Sequence, residues 1–283
     1  MKEGNIQAVK VSIQGYEGSF HQVAAQTYFG NEVTVIPCAT FREVIKIAND
    51  NKLGDAGVMA IENSIAGSIL PNYTLLQNND TLHIVGEVYL PIQQHLLANK
   101  GVKLEDINEV HSHHMAIQQC MEYLGEQHWK LVETEDTALS AKHVYQRKSK
   151  HIAAVASKLA AQLFNLEIIV PDIHTQKSNY TRFLILKRKE EAAINESEVN
   201  KASINFITDH TKGSLAKVLT LIAAGGINLS KLQSMPIAGT DFKYSFHADL
   251  EFESYHQYLS VEKELEKYTE QIKVFGVYKG GKI

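Results

Sequence analysis

Ser178-Asn179-Tyr180-Thr181-Arg182-Phe183 runs without a break into Leu184-Ile185-Leu186. A polar cluster therefore feeds an apolar, strand-like segment, and a hydroxyl, an amide and a guanidinium gather where a loop meets a rigid strand. Arginine is scarce in this chain, standing only at Arg42, Arg147, Arg182 and Arg188. A guanidinium grips a carboxylate bidentately, which an ammonium cannot do. Two readings stand at this point: a ligand site built on Asn179, Thr181 and Arg182, or an edge strand whose Thr and Arg are merely solvated.

Upstream of that strand, short apolar runs alternate with helical patterns. Residues 10–14 read as a strand, and Gly15-Tyr16-Glu17-Gly18-Ser19-Phe20 turns into a helix through Val23, Ala24 and Tyr28. Glycines in such a turn let backbone N–H groups approach an anion at the helix start, or serve only tight packing. Residues 33–36 form a strand, and Thr40 caps a helix through Val44, Ile45 and Ala48. The buried strand 57–61 delivers Glu62-Asn63-Ser64-Ile65-Ala66-Gly67-Ser68 into a helix over 69–76. Asn63 and Ser64 read equally as an N-cap or as contacts to a small carboxylate-bearing substrate.

Residues 82–90 and 92–98 are extended segments able to cross between lobes. A second series follows: a strand at Glu109-Val110-His111, then a helix with Ile117, Cys120, Met121 and Leu124 on one face. Strands at 130–132, 152–155 and 168–170 alternate with helices from Thr137 and over 157–164. This alternation predicts an α/β fold in two lobes with a cleft between them. His111, His113 and His114 lack metal-site spacing, so no metal is expected and one of them is expected to line the cleft. Glu133, Glu135 and Asp136 read as a solvated turn and a cap before Thr137.

Residues 187–201 are charged and poor in apolar side chains, which marks a boundary. Beyond it the period changes to strand 202–208, a helix opening at Gly213-Ser214-Leu215 and closing at Gly225-Gly226, strands 229–234 and 244–251 separated by Pro236-Ile237-Ala238-Gly239, helix 256–267 and strand 272–278. The order βαββαβ is that of the ferredoxin-like module.

The whole chain bounds these readings. Its 283 residues suffice for about two domains, and 44% hydrophobic with 21% charged residues is ordinary for a globular protein. A net charge of −4 and a pI near 6.4 provide no field that recruits nucleic acid or an anionic membrane. No stretch approaches a bilayer span, Met1 to Lys10 has no apolar core of a secretory signal, and Cys38 and Cys120 lack CxxC spacing. A cytoplasmic location is expected.

Taken together, Gly15 to Phe20, Ile61-Glu62-Asn63-Ser64 with Gly67-Ser68, Ser112-His113 with Gln119-Cys120, Asp136-Thr137-Ala138, residues 153–161 and Asn179-Tyr180-Thr181-Arg182-Phe183 resemble prephenate dehydratase of the monofunctional bacterial type. That type carries a C-terminal ACT regulatory domain. Two departures stand out. His114 and Met115 replace the family's Pro-Gln after Ser-His. Gln233-Ser234-Met235-Pro236 replaces Glu-Ser-Arg-Pro, whereas the Gly-Ala-Leu element survives as Gly213-Ser214-Leu215.

The resemblance implies a two-lobed, periplasmic-binding-protein-like catalytic domain over residues 9–188, a linker over 189–201 and an ACT domain over 202–283. It implies conversion of prephenate to phenylpyruvate without a cofactor. Thr181 would sit beside the leaving hydroxyl, and Arg182 would pair with the pyruvyl carboxylate or hold the loop with Glu62 as partner. Ser19, Asn63, Ser64, His113 and Asn179 would contact substrate, with Phe183 in the wall. L-Phenylalanine would bind as effector at Gly213, Ser214, Leu215, Asn228, Gln233 and Ser234, between subunits of a homodimer or homotetramer. Arogenate dehydratase and a non-catalytic amino-acid sensor are the alternatives.

Overall fold

The computed structural model describes residues 8–237, 239–241 and 243–283. The expected absence of a targeting signal over the first ten residues therefore falls largely outside it, as does Ala238 of the expected turn. The chain is a mixed α/β protein. Its elements are β1 (Lys10–Gln14), α1 (Phe20–Phe29), β2 (Thr34–Cys38), α2 (Phe41–Asn49), β3 (Ala56–Asn63), β4 (Gly67–Ser68), α3 (Leu70–Gln77), β5 (Leu82–Pro91) and β6 (His95–Ala98). There follow β7 (Glu109–His113), α4 (His114–Gln119), α5 (Met121–Gly125), β8 (Lys130–Thr134), α6 (Thr137–Arg147), β9 (Ile152–Ala156), α7 (Lys158–Leu163), β10 (Glu167–Val170) and β11 (Tyr180–Arg188). The last six are β12 (Lys201–Ile207), α8 (Ser214–Ala224), β13 (Asn228–Pro236), β14 (Tyr244–Glu251), α9 (Tyr255–Leu265) and β15 (Gln271–Tyr278).

Two compact units result: the described residues up to Ile69 with Val88–Phe183, and Leu70–Glu87 with Leu184–Lys282. The division falls inside β5 and β11. In the first sheet the order is β2-β1-β3-β11-β5, with β4 paired to β3. A second sheet, in the first unit, runs β10-β6-β9-β7-β8. Within it β7 lies parallel to β8 and β9, as the strand–helix alternation requires.

Helix starts are fixed by side chains that satisfy the first free N–H groups. Thr40 accepts from Glu43 N, Asp136 from Leu139 N and Ser157 from Ala160 N. The central strands β6 and β9 of the second sheet are buried on both faces, so apolar side chains dominate them. Ala153 and Val155 pack with Ile117, Cys120 and Leu124, while Ala154 and Ala156 pack with Ala138, Ala141 and Ala160. One expectation changes here. The helix after β7 breaks at Cys120 into α4 and α5, and Met121 turns outward, 50% exposed.

In the second unit β12, α8, β13, β14, α9 and β15 follow in the expected order. They form a four-stranded antiparallel sheet ordered β13-β14-β12-β15. Ile204, Phe206, Ala248 and Leu250 pack against Val218 and Ile222 of α8 and Tyr258 and Leu265 of α9. Residues 70–87 belong to this unit too: Tyr73 meets the His247 ring edge-on at 4.5 Å. Lys201 Nζ lies 2.9 Å from Glu87 Oε1, with both side chains buried. Among the described residues no helix is long and apolar enough to cross a membrane.

Candidate active site

A cavity of about 320 Å³ opens in the first unit, lined among others by Gln14, Ser19, His21, Asn63, Gln94, His113, Glu135, Asp136, Thr181 and Phe183. Its lining comes from both βα series. Most of these groups stand at the carboxyl ends of parallel strands or in the turns that follow them, where α/β sheets place ligands. That rule, applied to β1 and β8, is the signal that would have found Gln14, Glu135 and Asp136 in the sequence.

Strand alternation decides what β11 contributes. Side chains two apart share a face, so Thr181 and Phe183 line the cavity and Arg182 between them does not. Arg182 is 5% exposed, with its Cζ 6.0 Å from the centre of the Tyr89 ring. The guanidinium, expected to meet the pyruvyl carboxylate or to hold the loop with Glu62 as partner, thus lies off the cavity lining. Phe183 forms wall, meeting the His21 ring edge-on at 5.0 Å.

Asn63, the last residue of β3, organises the polar end. Its Oδ1 accepts the N–H groups of Ile65 (3.0 Å) and Ala66 (2.8 Å). Backbone donors cannot be reversed, so this fixes the amide orientation. Asn63 Nδ2 must then donate, and its acceptors are Asn179 Oδ1 (2.7 Å), Thr181 Oγ1 (3.0 Å) and Tyr180 O (3.1 Å). Because Thr181 Oγ1 is an acceptor here, the threonine proton is left for a ligand.

Glu62 and Ser64 flank Asn63 but do not line the cavity. Glu62 pairs in register with Ser68 across the β3–β4 turn. Ser64 Oγ accepts from Tyr180 N (2.9 Å) and donates to Ser178 O (3.3 Å), stapling that turn to the start of β11. Asn179 lies beside the cavity, with its Nδ2 buried and without a partner among the described residues.

The Gly15–Ser19 turn is locked onto the second βα series. Tyr16 donates its phenol proton to Glu135 Oε1 at 2.7 Å, and Ser157 donates to Gly18 O at 2.6 Å. Gly15 and Gly18 both take positive φ. A Cβ on Gly15 would lie 2.8 Å from Asp136 Oδ2, and one on Gly18 would lie 3.1 Å from Ala160 Cα. Glycine is required at both for conformation and for room. Ser19 starts α1, yet its side chain makes no cap bond, and Gln22 Oε1 accepts the Gly18 N–H. Ser19 Oγ, His21 Nε2 and Gln94 Oε1 are buried without a partner among the described residues.

Burial shifts three titratable groups of the cavity, His21, His113 and Asp136. Desolvation pushes His21 down to about 4, so its ring is neutral near pH 7. His113 is also lowered, by burial and then by His114. The two rings lie 4.2 Å apart, and His113 Nδ1 accepts from Met115 N. Burial raises Asp136 despite the Leu139 and Ala138 N–H groups on it. Glu135 and Asp136, expected as a solvated turn and a cap, thus include one true cap, and both face the cavity. No lysine or arginine joins them in the lining. His111 pairs with Glu109 at 3.1 Å and stays out of the cavity. Among the described residues no group of three or more His, Cys, Asp or Glu side chains could hold a metal ion.

In the second unit, Gly213 (φ +87°) starts α8. Ser214 Oγ donates to Asp209 O at 2.8 Å. Ser214 and Leu215 line a separate cavity with Lys243, Tyr244 and Phe246. Asn228, Gln233 and Ser234 lie on the edge strand β13 outside it. Asn228 donates to Glu251 and Gln233 to Ser234 O.

Residues 11–191 match the family model of prephenate dehydratase. Arogenate dehydratase/prephenate dehydratase 2 of Arabidopsis thaliana is 35% identical over 280 residues, 95% of this chain and 72% of that protein. Among solved structures, GqqA, described as a novel type of quorum quenching acylase, is 29% identical with a TM-score of 0.86 over 96% of this chain and 98% of that one. Prephenate dehydratase from Arthrobacter aurescens, solved in complex with L-Phe, is 24% identical with a TM-score of 0.84 over 96% and 90%.

Proposed function

The chain belongs to the prephenate dehydratase family, and we propose that it turns prephenate into phenylpyruvate in the cavity beneath β11, with Thr181 as hydrogen-bond donor to the departing hydroxyl. The bond from the ring to its carboxylate breaks and carbon dioxide leaves. Its electron pair enters the ring as the carbon–oxygen bond opposite breaks, and the hydroxyl takes one proton to leave as water. The ring becomes aromatic, so no electrons are exchanged with a cofactor. What the site supplies is orientation and help to the leaving oxygen. The observation that carries this assignment is the Asn63–Thr181 bond, which turns the threonine proton outward.

Asn63 and Ser64 hold the β3–β4 turn on β11, and Arg182 supports β11 from behind. The acids facing the same space are Glu135 and Asp136, and burial favours a proton on Asp136. Ser19, His21, His113 and Gln94 supply uncharged polar contacts. One carboxylate leaves as a neutral molecule, so a cation aimed at it would stabilise substrate more than transition state.

A second reading has its own support. Two carboxyl groups without a lysine or arginine in the lining favour a substrate bearing an ammonium group, namely arogenate. Initial rates of purified protein on prephenate and arogenate decide between them. Faster turnover of prephenate is expected, and turnover of neither would leave a non-catalytic amino-acid sensor. Acyl transfer is not favoured: it needs a hydroxyl that donates to a base, whereas Thr181 accepts from an amide and Ser19 Oγ has no partner among the described residues.

Residues 9–188 act as the catalytic domain and 189–201 as linker. Residues 202–283 act as an ACT domain that binds L-phenylalanine between subunits of a homodimer or homotetramer in the cytoplasm. The support is the βαββαβ order, the Gly213-Ser214-Leu215 helix start, which can receive a carboxylate through backbone N–H groups, and the open edge of β13. Because residues 70–87 pack with the C-terminal unit, the test uses the full chain. Calorimetric titration with L-phenylalanine, L-tyrosine and L-tryptophan should show phenylalanine binding that Ser214→Asp weakens. Absence of binding would leave this unit as an assembly surface only.

A further inference from the structure

A second cavity, of about 450 Å³, adjoins the first and shares Ala66, Met115 and Gln119 with it as a common wall. Both volumes fall in the range of small-molecule sites. The second cavity is bounded further by Ile65, Gln118, His174, Thr175, Gln176 and Asn179. Three features set its chemistry. Ile65 and Met115 are large apolar side chains, 48% and 36% exposed, so the cavity offers an apolar face. No lysine, arginine, aspartate or glutamate lines it. Asn179, 1% exposed, keeps its Oδ1 on Asn63 Nδ2, which leaves its Nδ2 as a buried donor without a partner among the described residues. A buried donor left unmade is unfavourable until an acceptor reaches it.

We propose that this second cavity is a subsite for the aromatic 2-oxo acid that the reaction makes, held by an acceptor oxygen on Asn179 Nδ2 and by its flat ring against Ile65 and Met115. The proposal rests on the dehydratase reading above. The reaction strips one carboxylate and one hydroxyl from a dianion and leaves a monoanion with a flat aromatic ring. The product is therefore the more apolar of the two and suits a cavity with an apolar face, a buried amide donor at Asn179 and no lysine, arginine, aspartate or glutamate in its wall. Met115 stands at the partition. An unbranched thioether changes rotamer with little loss of contact, so the wall between the cavities can yield without moving backbone.

Inhibition of the full-length protein by phenylpyruvate tests this. With the second cavity as a product subsite, phenylpyruvate binds while substrate occupies the first, and inhibition has a noncompetitive component. Thr175→Trp, which fills the second cavity from its exposed side, should leave kcat/KM within about twofold and weaken that component at least tenfold. Gln118→Trp, entering from α4, should do the same and stands in should the first variant fail to fold. Purely competitive inhibition of the wild-type protein overturns the proposal without any variant, as does an unchanged noncompetitive constant in a folded one. Calorimetric binding of phenylpyruvate reads the cavity independently of turnover. If the protein proves inactive on prephenate, binding that Thr175→Trp weakens tenfold still supports the subsite, and its absence removes it.

Discussion

Asn63 Nδ2 lies 3.0 Å from Thr181 Oγ1, and the two residues are 118 positions apart in sequence. The backbone N–H groups of Ile65 and Ala66 hold the other end of the amide, so Asn63 sets which way the threonine proton points. Residues that act through one another are not additive. Asn63→Ala should lower kcat by about 10–10²-fold, since the donor survives and its aim is lost. Combined with Thr181→Ala it should add little to the threonine loss. Kinetics of the two single variants and the double variant check this, and simple multiplication of the two losses would show that the residues work independently.

Gly15 is expected to be required for activity as well as for folding. Gly15→Ala meets a strained φ of +90° and the Asp136 carboxylate at 2.8 Å. Gly30→Ala meets a φ of +92° with nothing within 4 Å, so it isolates the strain alone. Both should lose on the order of 1–3 kcal/mol in urea unfolding. Only Gly15→Ala should also reduce kcat/KM, by displacing Asp136 and the Tyr16–Glu135 bond.

The fold was more legible in the chain than the site. Residues 178–186 show a strand, and period two alone separates Thr181 and Phe183 from Arg182. Yet the scarcity of arginine draws attention to the one side chain of the three that turns away. Burial against Tyr89 is a tertiary fact with no local signature. Glu135 reads locally as part of a polar turn because its partner, Tyr16, lies 119 positions away. Met121 fits a helical stripe on paper and loses it where the helix breaks at Cys120. The pattern of residues 70–87 predicts a helix and a strand correctly. Periodicity does not say which unit they pack with, and they pack with the C-terminal one.

Folding stability should fall in mild acid through His21. Its folded value, about 4, lies below the 6.5 of the unfolded chain. The unfolded state therefore binds the proton more readily between those values. The neutral ring's contribution is complete above pH 6.5 and is lost as pH falls through that window. His21→Phe should flatten the slope of unfolding free energy between pH 6.5 and 4. An unchanged slope would assign the acid sensitivity to other groups.

The buried Lys201–Glu87 pair should dominate the electrostatics of the second unit. Lys201→Met strands a buried carboxylate and should cost about 3–5 kcal/mol. Glu87 also accepts from Gly281 N, so part of the loss should appear as loosening of the C-terminal residues. Lys103→Met removes an exposed pair with Glu105 and should change stability by at most about 1 kcal/mol. Urea denaturation of both variants compares them directly.

The central claim is that Thr181 donates a hydrogen bond to the departing hydroxyl, and steady-state kinetics of Thr181→Ala and Thr181→Ser on prephenate test it most directly. Removing a donor that acts as the bond breaks should lower kcat by about 10²–10⁴-fold while KM moves little. Serine keeps the hydroxyl and should keep turnover within about tenfold of wild type, the allowance for a donor that is less well held. Wild-type kcat in a folded Thr181→Ala protein, or a serine variant as inactive as the alanine one, would contradict it.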